Sequence, residues 1–424
     1  MTVDIGQIRE QFPILGQEVH GHPLVYLDSA ATAQKPQVVI DAESSFYEHD
    51  NAGVHRGAHE LAARSTMAFE QARAQVAQLV GANWQEGQEE IVVTSGATAS
   101  LNLLATAFGN ASQGRGGQAA QRFALGPGDE VVISEAEHHS VLLPFQELCY
   151  RTGATLKWFG LDPEGRILSD TAEQVITEHT KVVAITHISN VTGAITDLDP
   201  IVRRAHEVGA LVILDACQSV PHLPIDFHAL DVDFAAWSAH KMYGPTGVGF
   251  LYGRRELLEA LPPANFGGSM LELAFLDRPA QYMEPPARFE AGTQPVAQVV
   301  AAGVAAQWMK DIGMDTIVQH EQTITRELLK LNSIEGVRIL GPVSQRKRIG
   351  TVAFDLAGVH PHDVGQYVDS RGIAIRVGHH CAQPVHRHFG LFASNRASTG
   401  IYNTVEDASE LLEAVSGARA FFGV

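Results

Sequence analysis

The feature that most constrains this chain is a repeated unit: a short apolar run bounded by turn residues, then a helical pattern, then another such run. The runs stand at 91–94, 131–134, 182–186, 211–214 and 234–237. They are too short for helices and apolar without alternation, as strands buried on both faces are in a parallel sheet. Between them, residues such as Phe69, Ala72, Val76 and Leu79 recur at helical spacing until Gly81. Strand and helix in alternation predict an α/β fold with a doubly wound, mostly parallel sheet, in which ligands bind beyond the carboxyl ends of the strands. The stretch 109–127, rich in Gly, Gln, Ala and Ser without a period, is expected as a surface excursion. At 424 residues the chain exceeds one ordinary core. The proline-containing segment 278–286 breaks the pattern, and an Ala/Val-rich helix from about Val296 to Lys310 is expected to open a second domain.

A formal net charge of −18 argues against a nucleic-acid or anionic-membrane surface, although a small anionic ligand would need a local basic pocket. The three cysteines, Cys149, Cys217 and Cys381, are widely spaced and form neither a disulfide framework nor a CxxC metal site. Asp4 and Glu10 stand where a signal peptide would carry basic and then apolar residues, and no run reaches membrane-spanning length. The expectation is a soluble, cytoplasmic protein.

Two strand ends carry chemistry. The run 211–214 leads straight into Asp215, and 234–237 is followed by Ser238-Ala239-His240-Lys241. A bare carboxylate at a buried strand end is costly, whereas one facing a protonated pyridine nitrogen is paired and keeps the ring an electron sink. A lysine in the same place is suited to forming a Schiff base. Taken singly, Asp215 also reads as a helix N-cap and Lys241 as a solvated surface group. Together they point to pyridoxal 5'-phosphate (PLP).

With Asp215-Ala216-Cys217-Gln218 and Ser238-Ala239-His240-Lys241 the chain resembles the class V aminotransferases of PLP fold type I, and more closely the SufS-type (group II) cysteine desulfurases, from Tyr26-Leu27-Asp28-Ser29-Ala30-Ala31-Thr32 to Arg396-Ala397-Ser398. The resemblance implies a large PLP-binding domain over 25–278, a smaller α+β domain over 279–424, and an N-terminal segment, 1–24, packing on the smaller one. It implies that Lys241 holds PLP and moves the substrate Cα proton, that Asp215 pairs with the ring nitrogen, that Gln218 bonds the phenolic oxygen, and that His138 stacks on the ring. The phosphate would sit at Ser95-Gly96-Ala97-Thr98, a turn feeding a helix N-terminus, with Ser238 and His240. Here the chain departs from the family's Gly-Thr-Thr-Glu, with Ala97 for the first threonine and Ala99 for the glutamate. Thr293 matches a residue that reaches the phosphate of the neighbouring subunit, which implies a homodimer. Arg396, suited to bidentate carboxylate binding, would hold the substrate with Asn190, while Arg376, His55 and Ala30 match further substrate-side positions.

Arg376-Val377-Gly378-His379-His380-Cys381-Ala382-Gln383-Pro384 makes the reaction specific. A sulfur acceptor needs an accessible thiolate supported by nearby cations, which Arg376 and the histidines offer. Cys149 and Cys217 are expected to be buried and inert. Six histidines fall between His360 and His388, but adjacent His379, His380 and Cys381 cannot easily share one ion, so no metal site is expected. The resemblance implies conversion of L-cysteine to L-alanine with a persulfide on Cys381, sulfur supply for iron–sulfur cluster assembly, and action on selenocysteine as an alternative substrate. The 358–364 stretch resembles the subtype served by a zinc-containing SufU partner rather than SufE, with His362 contacting that partner. An aminotransferase or epimerase of the same fold would use Lys241 and Asp215 identically and need no thiol; a noncatalytic scaffold would keep PLP without turnover, and a metal carrier would use the histidines instead.

Overall fold

The five apolar runs all become strands of one sheet. In the computed structural model, which describes residues 5–424, this sheet comprises β1 (Ile91–Thr94), β2 (Glu130–Ser134), β3 (Thr155–Phe159), β4 (Thr180–Thr186), β5 (Leu211–Asp215), β6 (Phe234–Ser238) and β7 (Gly249–Gly253), in the order β1-β7-β6-β5-β4-β2-β3. Strands β3, β2, β4, β5 and β6 are parallel. Strand β7 lies antiparallel between β6 and β1. It passes the turn before the next helix so closely that a Cβ at Gly249 would lie 2.5 Å from Gly96 Cα.

Helices cover both faces, and successive strand residues divide between two cores as the pleat requires. Val212, Leu214 and Trp237 pack with α1 (Gln37–His49), α2 (Glu60–Leu79), α5 (Asp199–Glu207) and α6 (Val296–Ile312) on one side. Ile213 and Ala236 pack with α3 (Ala97–Ser112) and α4 (His139–Thr152) on the other. Gly303, midway along α6, permits its close approach to α2: a Cβ there would lie 2.6 Å from Ala72 Cβ. The helix expected to open the second domain therefore packs in the first core, and the change of core falls within the next helix, between Ile317 and Ile324, rather than near 278.

A four-stranded antiparallel sheet follows: β8 (Val337–Leu340), β9 (Thr351–Leu356), β10 (Arg376–Gly378) and β11 (Ser394–Ser398), in the order β8-β9-β11-β10. Its core joins Val352, Phe354 and Ala397 to α7 (Met314–Leu328), α8 (Pro361–Asp369) and α9 (Val405–Phe422), and takes in Val25 and Leu27. The N-terminal segment divides its packing differently from expectation. Met1 to Asp4 lie outside the described residues, while Ile8, Phe12 and Leu15 join the large core. Phe12 meets the rings of Tyr243, Trp308 and Tyr402, and Arg9 ties the segment to the smaller unit through Asp407 at 3.0 Å. Nor is 109–127 purely superficial, since α3 runs to Ser112 and Phe123 stacks on Phe108 at 5.3 Å.

Candidate active site

Parallel pairing sets Asp215 beside Thr186 on β4 and Ala236 on β6, so the ends of three central strands open into one cavity of about 180 Å³. Its lining includes Lys241, Asp215, Gln218, His138, Ser238 and His240 from the large unit, with Ala97, Thr98, Ala30 and Asn190 at its walls. Arg376, Cys381 and Arg396 enter it from the smaller unit. Lys241, Arg376 and Arg396 against Asp215 give the cavity a local positive balance within an acidic chain.

The phosphate end is built from backbone. Gly96 (φ 150°) turns the chain into α3, whose first residue Ala97 donates its N–H to Ser238 Oγ at 2.9 Å. Thr98 Oγ1 meets Ser140 Oγ at 2.7 Å. The helix start offers N–H groups and a positive dipole end to an anion even with alanine at 97. At the ring end, Asp215 Oδ1 accepts from the backbone N–H of Cys217 at 3.0 Å, and Gln218 Nε2 donates to Ala30 O at 3.0 Å. His138 caps α4 by accepting from Ser140 N at 3.0 Å. Burial, with the Lys241 charge, lowers His138 to about 4, which keeps its ring neutral. Desolvation likewise lowers His240 to about 4.

Cys381 is half-buried in a tight turn where both His380 (φ 51°) and Cys381 (φ 56°) are left-handed. Three hydrogen bonds hold that turn: His139 N to Cys381 O at 2.8 Å, Asn190 Nδ2 to His380 O at 2.7 Å, and Ala382 N to His379 O at 2.9 Å. Arg396 is buried on β11, bonded through Nη2 to Asp28 Oδ1 at 3.1 Å and through Nη1 to Asn190 O at 3.0 Å. Its Nε is buried and has no partner among the described residues.

The other two thiols differ. Burial raises Cys149 to about 11. Cys217, expected to be merely buried, lines the cavity, where desolvation and the Asp215 charge raise its thiol well above the ordinary range. The histidines do not converge on one point: His360 caps α8, His380 and His386 share Ser394 Oγ at 3.0 Å each, and His388 reaches Asp162 O at 2.9 Å. Among the described residues, no group of three or more His, Cys, Asp or Glu is arranged to hold a metal ion.

His55 and Thr293 do not line this cavity. They share a second pocket with Glu70, Arg73 and Glu290, where His55 Nε2 pairs with Glu70 at 2.8 Å. Sequence reasoning also passed over Asp28, the partner of Arg396. The signal was present, because Asp28 closes the apolar run 24–27 as Asp215 closes its own.

Residues 25–411 match the model of the family described as aminotransferase class-V. The chain belongs to that family. A Streptomyces coelicolor protein named a probable cysteine desulfurase is 46% identical over 99% of this chain and 98% of its own length. Among solved structures, the cysteine desulfurase CsdA of Escherichia coli superposes with a TM-score of 0.87 at 35% identity, covering 99% of this chain and all (100%) of that one. A cysteine desulfurase from Thermococcus onnurineus gives 0.89 at 33% identity, covering 99% and 98% of the two chains. The fold is that of PLP fold type I, and the family's cofactor is PLP.

The cavity fits that group. Asp215 has no cationic partner among the described residues, the α3 N-terminus and Ser238 suit a phosphate, and Gln218 Oε1 is buried and unpaired. When bound, PLP supplies an electron sink for charge developing at the substrate Cα. Lys241 would hold it covalently, Asp215 would face the ring nitrogen and His138 the ring.

Proposed function

We propose that this chain is a SufS-type cysteine desulfurase that converts L-cysteine to L-alanine, leaving the sulfur as a persulfide on Cys381. The observation that carries this reading is that one cavity holds Lys241, Asp215, Arg396 and a half-buried thiol. Arg396 anchors the substrate carboxylate, with Arg376 adding positive charge beside it. Lys241 Nζ takes the Cα proton and later returns it. Cys381 Sγ attacks the substrate sulfur, the carbon–sulfur bond breaks, and the net change is L-cysteine plus a thiol to L-alanine plus a persulfide. Selenocysteine presents the same groups to the same residues.

The working unit is a homodimer, a reading supported by His55 and Thr293 lining one pocket apart from the cavity, as residues that serve a neighbouring copy would. The acceptor is a SufU-like protein of iron–sulfur cluster assembly. His362 supports this choice: it is exposed in the first turn of α8, its neighbour His360 supplies the cap, and it shares a surface depression with Asp28 and Arg376.

Alanine formation from L-cysteine tests the core of this reading. Cys381→Ser is expected to keep the cofactor's visible absorbance and lose turnover on the order of a thousandfold or more, whereas Lys241→Ala loses both. Alanine made at the normal rate by Cys381→Ser would leave an ordinary class V aminotransferase or lyase as the better account. For the acceptor, His362→Ala is expected to cut SufU-stimulated turnover by about tenfold. Undiminished stimulation sinks the SufU assignment alone.

A further inference from the structure

Glu137 follows β2 and immediately precedes His138, and its side chain is 1% exposed. Its Oε1 accepts from Ser134 Oγ at 2.5 Å and from the backbone N–H of Thr186 at 3.0 Å. Its Oε2 is buried and has no hydrogen-bond partner among the described residues. Thr186 is in register with Asp215 on the adjacent strand, so the Glu137 carboxyl is fixed at the same level of the sheet as the carboxylate assigned to the ring nitrogen.

A dry carboxylate with one oxygen unsatisfied is costly, and a second negative charge nearby raises that cost. Desolvation, opposed by the bonds from Ser134 and Thr186 and reinforced by the charge of Asp215, pushes Glu137 up to about 8. The other titratable groups around it do not offset this. His138 beside it and His187 after β4 are both lowered to about 4 by burial and stay neutral, and Lys241 lies beyond β5 on the turn after β6. No Lys or Arg pairs with Glu137 among the described residues.

We propose that Glu137 is a positioning residue for the ring nitrogen's partner: held as a neutral acid, it leaves Asp215 the lone anion at that strand end, and it acts only through Asp215. The proposal rests on Asp215 facing the ring of PLP, and it adds a proton-bearing group to the sheet side of the site.

Glu137→Gln preserves shape and both accepted hydrogen bonds and cannot ionise, which makes it the informative variant. The folded acid holds a proton that the unfolded chain releases in the ordinary carboxyl range, so the folded state loses stability as pH rises from about 4.5 to about 8. In the full-length chain freed of cofactor, the melting temperature of E137Q relative to the unmutated protein is expected to climb steadily over that window; a difference independent of pH overturns the neutral acid. In the holoenzyme, the unmutated protein is expected to show a change in cofactor absorbance with a midpoint near pH 8 that E137Q lacks. No such change in the unmutated protein, or the same change in both, overturns the route through Asp215. Neither readout needs sulfur transfer, so failure of the desulfurase reading would leave both results standing.

Discussion

Strand β6 delivers Lys241 through one short turn of ordinary backbone over Trp237 and Ala239, both fully buried, whereas Cys381 reaches the same cavity on a turn with two consecutive left-handed residues. Non-glycine residues in that region cost roughly 1–3 kcal/mol each and persist only where surroundings impose them. The lysine is thus fixed by the hydrophobic register of a seven-stranded sheet, and the thiol by three hydrogen bonds acting against backbone strain. One position resists perturbation of any single neighbour. The other depends on each of them. A reaction that needs a fixed proton carrier and a thiol able to hand sulfur outward suits such a division.

Acid should expose the lysine side with the largest effect. His138, His187 and His240, all close to Asp215 or Lys241, are lowered to about 4, chiefly by burial. Each has a folded value below its unfolded one, so the unfolded chain takes up the protons first. The neutral rings favour folding above about pH 6.5, and that contribution is lost as pH falls toward 4. Burial drives His380, behind the thiol, in the same direction. Cofactor absorbance and melting temperature followed from pH 7 downward are expected to fall together below about pH 6.5. Cofactor retained undiminished to pH 4 would mean that the strand ends are less dry than their burial indicates.

The same contrast separates what was legible in the sequence from what was not. Strands β2, β4, β5 and β6 were visible as apolar runs because each is buried on both faces. Strand β3 escaped because its edge position leaves Lys157 and Trp158 partly exposed, and β7 because glycines bracket it. Asp215 and Lys241 followed from the rule that a charge closing a buried strand needs a purpose. The conformation of Cys381 carried no such signal, since neither position is the glycine that announces a left-handed turn. The bonds that impose it come from His139 and Asn190, distant in sequence. Nor could spacing show that Val296–Ile312 belongs to the first core, because an Ala-rich helix suits either neighbour until Gly303 is seen against Ala72.

Asn190 gives the narrower test of the comparison. Its side chain donates to His380 O while its own carbonyl accepts from Arg396, so it joins the thiol turn to the carboxylate anchor. Asn190→Ala removes the first of these and leaves the second, which is a backbone contact. Loss of a buried hydrogen bond of about 1.4 kcal/mol would let the turn relax and slow persulfide formation about tenfold. The cofactor's absorbance should be unchanged, because nothing on the β5 and β6 strand ends is bonded to this side chain. Persulfide measured by mass after a single turnover, alongside the visible spectrum, separates the two. If the spectrum shifts as much as the transfer rate falls, the two halves of the site are mechanically one, and the independence of Lys241 from the thiol turn is lost.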